Sequence, residues 1–374
     1  MSGFDVVVAG AGPAGSLAAR QLALRGAKVL LADRVAFPRW KVCGACLGPG
    51  ASAALEAAGL AGLPARLGGV PLAYLTLVSG ERRARIALRG NRALSREALD
   101  AALVEAAVAA GAEFRPGCRV HLDDPSPGHG LELRLDGAEP VVVRANALID
   151  ATGLAGGLAG PRPDISPRSR IGLGAIFEEP PPDLLPGDLR MVVAPVGYAG
   201  LVRDERDRLT VAAAVDAEAL QRRSPAEVVA DILRTGASDP TRAIDLSSPS
   251  HGWKGTPLLT RRVAAPERPG IFRIGDAAGY VEPFTGEGMG WAMGAAVAVV
   301  PFVDAFLSGR ADAGADWVRA SERHAMAAQR FCRTVSWALR RPAFVNTSLR
   351  ILRRRPSLAI PLVAAGSAPF HGSS

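Results

Sequence analysis

The sequence is poor in lysine and in cysteine. Its 44 basic residues include only three lysines, at positions 28, 41 and 254. Its four cysteines, in 374 residues, form no regular framework, which indicates a reducing compartment and a cytoplasmic protein. Cys43 and Cys46 make a C-x-x-C pair, but no second pair or nearby histidine completes four ligands, so we expect no metal site.

Long uninterrupted hydrophobic runs are also missing. Residues 291–307 and 358–370 are the longest apolar stretches, and proline or aspartate interrupts each of them. The first apolar run has no basic region before it and is already used as a strand. We therefore expect neither a transmembrane helix nor a signal peptide. The length and the 48% hydrophobic content allow two domains that share a large core.

Excess positive charge is confined to the C-terminus. Residues 321–374 contain nine arginines and one acidic residue, Glu322, so this segment carries the whole net charge of +8. Because no basic groove runs through the protein, nucleic acid is not an expected partner. Apolar residues alternate with the arginines, which predicts peripheral attachment to the inner face of an anionic membrane; a solvated helix end is the alternative. These apolar residues are Phe331, Val335, Leu339, Phe344, Leu349 and Leu352.

The N-terminus carries a nucleotide-binding pattern. Residues 5–9 predict a strand and residues 14–25 a helix, with Gly10, Gly12 and Gly15 between them in G-x-G-x-x-G spacing. In this spacing the first glycine permits the turn, the second lets backbone approach a pyrophosphate, and the third lets the helix pack closely on the strand. The phosphates then lie at the positive end of the helix.

A second predicted strand, residues 27–32, follows that helix. It ends in Asp33, about twenty residues beyond the glycines, where a carboxylate can accept hydrogen bonds from ribose hydroxyls. Strand, helix and acid together predict dinucleotide binding. A turn in an unrelated α/β protein is the alternative.

The rest of the chain alternates loops, strands and a few helices. Residues 38–51, rich in glycine, proline and cysteine, predict a loop. Helices are expected at residues 95–110, capped by Ser95, and after a capping box at residues 224–227. Strands are expected at residues 72–88 with a turn at Gly80, and at 118–122, 131–135, 141–143, 147–150, 171–177, 189–193, 197–203, 209–215, 253–259 and 270–274.

A second glycine-rich turn lies late in the chain. The strand at 270–274 leads into GDAAG at residues 275–279, and PFTGEGMG at residues 283–290 precedes an alanine-rich helix. This order of strand, glycine turn and helix repeats the N-terminal unit, with Asp276 inside the turn. We expect that acid to hold a hydroxylated linker.

These motifs resemble those of the FAD-dependent oxidoreductases with the para-hydroxybenzoate hydroxylase fold. The resemblance rests on the first glycine turn, Asp33, Arg96 in LSREALDAAL, and GDAAGYVEPFTGEGMGWAM late in the chain. Within that group, PRWKVCGACL at residues 38–47 resembles the P-x-x-K-x-C-G segment of the geranylgeranyl reductase family.

The resemblance implies a cofactor site and a reaction centre. Asp33 would hold the adenosine ribose, Arg96 the phosphate or ribose region, and Asp276 the ribityl and pyrophosphate part. Cys43 and Gly44 would face the flavin ring near the substrate, with Lys41 as a third catalytic candidate. The full set of cofactor-binding residues that it implies is Gly10, Gly12, Pro13, Ala14, Gly15, Asp33, Arg34, Arg96, Val120, Gly275, Asp276, Ala277, Gly286, Gly288 and Met289.

Several candidates also have plainer explanations. Cys43 can be a small buried side chain, and Cys46 is expected to be structural. Lys41 can be a solvated side chain. Glu287 is expected to cap its helix rather than exchange protons, and Tyr280 is a weaker candidate for a proton donor.

The chain departs from these families at three places. Ala151-Thr152-Gly153 stands where the hydroxylases carry an Asp-Gly motif tied to NADPH use. Around Tyr198 the chain keeps only the tyrosine of the Tyr-x-Trp-x-Phe-Pro stretch of geranylgeranyl reductases. The Trp-x-Trp-x-Ile-Pro signature of flavin halogenases is absent from the sequence.

The expected fold class is α/β. A Rossmann-type FAD-binding domain is accompanied by a second, antiparallel-sheet (α+β) substrate domain and a helical C-terminal tail. We assign residues 1–70, 92–165 and 262–310 to the FAD-binding domain, 71–91 with 166–261 to the substrate domain, and 311–374 to the basic tail.

The resemblance implies an FAD-dependent oxidoreductase that reduces carbon–carbon double bonds of an apolar lipid-like, isoprenoid or polyketide small molecule by flavin hydride transfer. One alternative is a monooxygenase that hydroxylates an aromatic or polyketide substrate. A second is an FAD electron-transfer protein. NAD(P)H as a transient donor and an electron-donor protein are both left open as sources of electrons.

Overall fold

The N-terminal strand lies inside a mixed sheet. The computed structural model describes residues 3–123, 130–158, 162–236, 244–282, 284 and 286–359. The strands are β1 Gly3–Ala9, β2 Val29–Asp33, β3 Cys46–Leu47, β4 Val70–Ser79, β5 Arg82–Ala93, β6 Glu113–Pro116, β7 Arg119–Leu122, β8 Leu131–Asp136, β9 Val141–Asp150, β10 Asp164–Ile165, β11 Arg170–Phe177, β12 Asp188–Ala194, β13 Gly197–Arg203, β14 Leu209–Asp216, β15 Lys254–Leu258, β16 Arg261–Arg262, β17 Ile271–Arg273 and β18 Gly279–Tyr280. The helices are α1 Pro13–Ala23, α2 Pro49–Ala57, α3 Leu63–Arg66, α4 Arg96–Ala109, α5 Pro225–Thr235, α6 Gly288–Ala298, α7 Val300–Leu307, α8 Ala313–Leu339 and α9 Pro342–Arg354.

The first sheet has the parallel core that a nucleotide-binding unit requires. Its order is β6-β2-β1-β9-β8-β7, with β17 also paired to β9. β1 pairs in parallel with β2 on one side and with β9 on the other. β6 is parallel to β2, and β17 is parallel to β9. β1 and β2 are almost wholly buried, as their continuous Val and Leu content predicts for strands covered on both faces. Their carboxyl ends therefore meet at one edge of the sheet, beside the first glycine turn.

The second sheet has the order β15-β11-β14-β13-β12-β4-β5-β3. Its pairs are antiparallel, as expected, except that β12 pairs with β4 in parallel. A short hairpin can join only antiparallel strands. β4 and β12 are separated by about a hundred residues, so no such turn fixes their relative direction. β3 pairs with Arg92 and Ala93 at the end of β5, and the sequence assigns these residues and β3 alike to the FAD-binding domain. The domain boundaries themselves stay a prediction.

Helices cover the faces of the second sheet. α5 buries Val228, Val229, Ile232 and Leu233 against one face. The predicted capping box opens this helix: the Ser224 amide donates to the Glu227 carboxylate at 2.7 Å.

The expected helix after Ser95 is also present, with Ser95 accepting a hydrogen bond from the Ala98 amide.

The C-terminal region is helical as far as it is described, to residue 359. Membrane attachment through the apolar residues that alternate with the arginines required all of them to face outward. They do not all do so. Leu339, Val345 and Leu349 are buried in one apolar cluster with residues of the second sheet, and Val335 and Leu352 pack against that cluster. Helical periodicity explains the difference, because residues three or four apart share one face and here that face meets the sheet. Phe344 alone of this group is largely exposed.

Three local predictions were wrong. Residues 38–51 are not wholly a loop, because β3 forms there and α2 begins at Pro49. The glycines around Pro49 read as turn signals, but proline is favoured in the first turn of a helix. The predicted strands 141–143 and 147–150 are one strand, β9. Strand β6 was missed, and residues 124–129, between the strands expected at 118–122 and 131–135, lie outside the described residues.

α6 and α7 follow one another as an apolar run. Together, Gly288–Leu307 are long and apolar enough to cross a membrane by length and composition, with a mean hydropathy of 1.7. Met293, Ala296 and Val299 are buried in the largest apolar cluster, which includes residues of α1 and α2. Of this run, 44% is buried, and the expectation of no spanning helix stays a prediction.

We expect Ile232→Ala to lower the free energy of unfolding by about 2–5 kcal/mol, because it removes a fully buried side chain from the contact between α5 and the second sheet. Ile165→Ala is the matched control, since Ile165 is 39% exposed on the short strand β10. Denaturant titration measures both. Equal losses for the two variants would contradict the packing described for α5.

Candidate functional site

Two cavities open on either side of the first glycine turn. The larger has a volume of about 450 Å³ and extends from Gly12 to the second sheet. The smaller, of about 300 Å³, is lined by Gly10, Asp33, Val120 and the segment that follows β9. Of the residues that the resemblance implies, the larger cavity brings together Gly12, Pro13, Ala14, Arg34, Lys41, Cys43, Gly44, Arg96, Gly275, Asp276, Gly286, Gly288 and Met289. Gly15 and Ala277 line neither cavity.

The glycines of the turn differ in what they make room for. A Cβ at Gly15 would lie 1.8 Å from the Gly10 carbonyl oxygen, and one at Gly10 would lie 2.4 Å from the Ala151 carbonyl oxygen. These two glycines therefore allow α1 and the ends of β1 and β9 to approach each other. A Cβ at Gly12 would meet only the Arg96 and Arg39 guanidinium groups, at 3.6 and 3.7 Å. The space at Gly12 is thus bounded by cations rather than by backbone.

Cationic side chains surround that space. Arg96 is held by two hydrogen bonds to the buried Asp100 carboxylate, at 2.8 and 2.7 Å. Arg39 lies 3.4 Å from both Asp33 and Asp100, and its Nε is buried without a hydrogen-bond partner among the described residues. Burial lowers the pKa of the Lys41 ammonium from its usual value, and the neighbouring Arg96 lowers it further. A diphosphate fits this arrangement, because it would place negative charge beside the Lys41 ammonium and could accept a hydrogen bond from Arg39 Nε.

Asp33 makes structural hydrogen bonds in addition to the ribose contact that the sequence predicts. It accepts hydrogen bonds from the Ala11 amide at 2.8 Å and the Val35 amide at 3.0 Å. Through the first of these it ties the end of β2 to the glycine turn. It also lines the smaller cavity with Val120, where the sequence places the adenosine, and its contact with a ribose stays a prediction.

The late glycine turn meets the first one across α1. A Cβ at Gly275 would lie 3.2 Å from the Ala14 side chain and 3.5 Å from Ala292 in α6. Asp276 is buried beside this contact and lines the larger cavity. Burial raises the pKa of the Asp276 carboxyl, while Lys41 and Arg96 oppose the rise. Pro283 and Thr285 of the same motif lie outside the described residues.

Both cysteines of the C-x-x-C pair line the larger cavity. The Cys46 thiol donates to the Gly44 carbonyl at 3.1 Å. Burial raises the pKa of Cys46 to about 12, with smaller contributions from Cys43 and Glu287, so this thiol stays protonated at neutral pH. Cys46, expected to be only structural, is therefore also part of the cavity wall.

Glu287 does not cap its own helix. It precedes α6, but its side chain makes no capping hydrogen bond there. The carboxylate instead lies against the start of α2, where a Cβ at Gly48 would meet Glu287 Oε1 at 2.2 Å. A carboxylate at this place interacts favourably with the positive end of α2. The position of Glu287 directly before α6 in the sequence is why a cap of α6 was expected.

The outer part of the larger cavity is apolar and was not assigned from the sequence. Its walls come from β11–β14 and the segment after β15. Small residues such as Gly172, Gly200 and Ala212 leave the space open. The larger side chains there are Leu173, Leu189, Met191, Tyr198, Leu259 and Phe284. The alternating pattern of β12–β14 was the available signal, but it did not tell which sheet face meets the cofactor.

A buried ionic network lies behind this wall. Arg170 is fully buried and contacts Glu282 at 3.0 Å and Asp216 at 3.2 Å. Arg340, at the end of α8, contacts the same Asp216 oxygen at 2.8 Å. Burial, and then the Glu282 charge, raise the pKa of Tyr198 well above its usual value. Tyr198 is therefore a protonated hydroxyl in the cavity wall, connected to α8 by charged residues.

Comparison with known proteins identifies the cofactor. Residues 3–157 match the family model described as FAD binding domain. Among curated proteins, conditioned medium factor receptor 1 of Dictyostelium discoideum is 26% identical over 341 residues, 81% of this chain and 64% of that protein. The menaquinone reductase of Mycolicibacterium smegmatis is 53% identical over 57 residues, 15% of this chain and 14% of that protein. The chain thus spans less than two thirds of the length of these relatives.

Solved structures match almost the whole chain. A triple mutant of the flavin-dependent brominase Bmp2 has a TM-score of 0.81 at 18% identity and covers 99% of this chain and 96% of its own. PqsL, a probable FAD-dependent monooxygenase from Pseudomonas aeruginosa, has a TM-score of 0.74 at 20% identity, with 92% and 99% covered. The halogenase PltM, solved with phloroglucinol and FAD, has a TM-score of 0.75 at 17% identity, with 99% and 87% covered. At these identities the likeness establishes the fold.

We expect Gly15→Ala to release FAD and to destabilise the protein by about 3 kcal/mol, since the added Cβ would collide with the Gly10 carbonyl. Gly3→Ala is the control, because nothing lies within 4 Å of a Cβ at that position. Flavin absorbance after gel filtration and the thermal unfolding midpoint measure the two effects. Full FAD retention in Gly15→Ala would show that the turn is not built as described.

The affinity for FAD should depend on pH through Lys41. Its pKa is lowered in the free protein, and a bound diphosphate would raise it, so FAD binding takes up a proton between the lowered pKa of the free protein and the raised pKa of the complex. Affinity should then fall as the pH rises across that range. Titration of the apoprotein with FAD across a pH series measures this fall. Lys41→Met should flatten the curve, whereas Lys28→Met, at an exposed lysine that lines neither cavity, should not.

The expectations of an α/β fold with an FAD-binding domain are confirmed. Membership of the geranylgeranyl reductase family is not established by these comparisons. The matched domain over residues 3–157 and the two glycine turns show an FAD-binding domain, within a fold that solved flavin-dependent monooxygenases and halogenases share.

Proposed function

We propose that the protein is an FAD-dependent monooxygenase that hydroxylates an apolar aromatic or polyketide substrate. The observation that carries the proposal is the larger cavity, which runs without interruption from the residues around Gly12 and Gly288 to an apolar wall in the second sheet. Such a cavity can hold an apolar molecule against the flavin ring and exclude water from the reaction.

The chain contributes binding and electrostatics to this reaction. Reduced FAD supplies the electrons that activate O2 in a hydroxylation, or the hydride in a double-bond reduction. Arg39, Lys41 and Arg96 would hold the diphosphate. α6 begins at Gly288 in the cavity wall, and its positive N-terminus would stabilise negative charge on the reduced ring.

Two tyrosines give the apolar cavity its polar character. Burial raises the pKa of Tyr280, as it does that of Tyr198, so both keep their protons across the physiological range. A protonated tyrosine donates a hydrogen bond, and each could therefore bind an oxygen of the substrate. A molecule with a largely apolar body and one or two oxygens fits this wall best.

The solved structures support the monooxygenase over double-bond reduction, which the sequence had placed first. PqsL is described as a probable FAD-dependent monooxygenase, and Bmp2 and PltM as a brominase and a halogenase, which also use flavin. We do not extend the proposal to halogenation, because the Trp-x-Trp-x-Ile-Pro signature is absent from this sequence.

Double-bond reduction is the second candidate. It is favoured by the 53% identity to a menaquinone reductase over 57 residues and by the PRWKVCG segment. In this reaction the hydride comes from the flavin, and a protonated group must supply the second hydrogen. Tyr280, in the cavity wall, is the residue that could donate it.

Product analysis with isotopically labelled O2 separates the two reactions. The holoprotein is first reduced anaerobically with NADH, NADPH or dithionite, which also tests the proposal that NAD(P)H is a transient donor. It is then mixed with aromatic, polyketide and polyunsaturated compounds, with and without labelled O2. A product that carries the label supports the monooxygenase. A product heavier by two hydrogens, formed without O2, would replace it with the reductase.

We expect Gly200→Val to weaken binding of apolar ligands by about tenfold or more, because a side chain there would enter the cavity beside the Met191 sulfur. A Cβ at Gly200 would lie 3.4 Å from that sulfur. Titration with an aromatic ligand, followed by the change in flavin absorbance, measures affinity. FAD content should not change, since Gly200 is far from the glycine turns; unchanged ligand affinity would remove β13 from the substrate wall.

A further inference from the structure

Four large apolar side chains form an exposed stripe on the C-terminal helices. Trp337, Phe344, Ile351 and Leu358 are 52%, 50%, 48% and 51% exposed. They recur at intervals of seven residues, and the Trp337 and Phe344 rings contact each other edge to face at 6.4 Å. In α9 this spacing corresponds to two helical turns, which puts Phe344 and Ile351 on one face. We call these four residues the apolar stripe.

Arginines flank the apolar stripe. The Arg341 guanidinium lies over the Trp337 ring, 3.6 Å from its centre. Arg350, Arg353, Arg354 and Arg355 are exposed, and within the described chain none of them has a carboxylate within ion-pair distance. The sequence has no acidic residue after Glu322. The surface therefore combines exposed aromatic and aliphatic groups with positive charge that the protein does not neutralise.

The opposite face of the same helix closes the substrate wall. Val345 and Leu349 of α9 are buried in one apolar cluster with Met191, Tyr198 and Leu259, which line the larger cavity. α9 is thus a single layer between the cavity wall and the exposed stripe. Whatever the stripe contacts lies one helix away from the substrate.

We propose that the apolar stripe and its arginines dock on an anionic lipid bilayer, and that the larger cavity takes its apolar substrate from that bilayer. The second half of this inference rests on the proposed function. Apolar side chains inserted at the headgroup boundary and arginines paired with anionic lipids are the two contributions that bind amphipathic helices to membranes. A neutral partner surface would leave the arginines without counter-charges, which is why a bilayer of negative charge fits best.

Flotation of the full-length holoprotein with vesicles tests the docking. The vesicles are phosphatidylcholine alone or mixed with phosphatidylglycerol, at low and at high salt. We expect binding to the mixed vesicles at low salt and much weaker binding in the other conditions. Replacing Arg353, Arg354 and Arg355 with glutamine should reduce partition about 100-fold, from the contribution of each arginine near a charged surface.

A matched pair of variants separates the stripe from general surface hydrophobicity. Phe344→Ser with Ile351→Ser should abolish flotation. Leu24→Ser with Leu185→Ser should not, although those side chains are 57% and 58% exposed. Flavin absorbance and the unfolding midpoint confirm that each variant is folded. Equal flotation of both double variants, equal binding to neutral vesicles, or dimerisation that depends on Phe344 would each overturn docking on an anionic bilayer.

Delivery of substrate is tested separately. If the cavity draws from the bilayer, an apolar ligand dissolved in the vesicles should perturb the flavin spectrum of the parent protein more than that of the Phe344→Ser, Ile351→Ser variant. The same ligand in detergent-free solution should perturb both equally. Flotation without any spectral response to apolar ligands would leave the docking intact and would remove the proposed function.

Discussion

The close approach of three backbone segments at the first glycine turn is the constraint on which the rest of the structure depends. The Gly10 carbonyl occupies the place that a Gly15 side chain would take, and Ala151 at the end of β9 closes in from the other side. Asp33 fixes the same turn through the Ala11 amide. Because these contacts leave no room for a Cβ, the two cavities lie at fixed positions on either side of one peptide turn. The late turn at Gly275 then packs on α1 and completes the second cavity.

The charges near Gly12 show why this turn is a binding site and not only a junction. Gly10 and Gly15 are required by their own backbone neighbours, whereas Gly12 faces guanidinium groups across open space. The pKa of Lys41 is lowered, and Arg39 Nε has no hydrogen-bond partner among the described residues. Burial of such cations costs free energy unless an anion binds beside them. A diphosphate bound here would therefore complete the electrostatic balance of the fold and stabilise the conformation that binds it.

Most of the cofactor-binding residues expected from the sequence line the two cavities, whereas the apolar wall of the larger cavity was not assigned from the sequence. The glycine spacings, Asp33 and the capping residues Ser95 and Ser224 act through neighbours in the chain, so their roles could be read from short patterns. The substrate wall depends instead on which face of β11–β14 turns toward the flavin, and on α9 packing against that sheet from the end of the chain. Neither is encoded in local spacing. The same limit explains Glu287, whose carboxylate lies against a helix some 240 residues earlier in the chain. It also explains the apolar residues that alternate with arginines in the tail, most of which pack against the second sheet.

The ion network behind Tyr198 has a thermodynamic consequence. Arg340 of α8 and Arg170 behind the cavity wall share one oxygen of Asp216, and Arg170 also holds Glu282 beside Tyr198. A change in the position of α8 therefore alters the charges that surround the tyrosine hydroxyl. If a surface that holds α8 in place changes the affinity of a ligand at Tyr198, linkage requires that the ligand change the affinity of that surface by the same factor. The contact between Arg340 and Asp216 is the point at which such a coupling between the basic helices and the cavity wall would act.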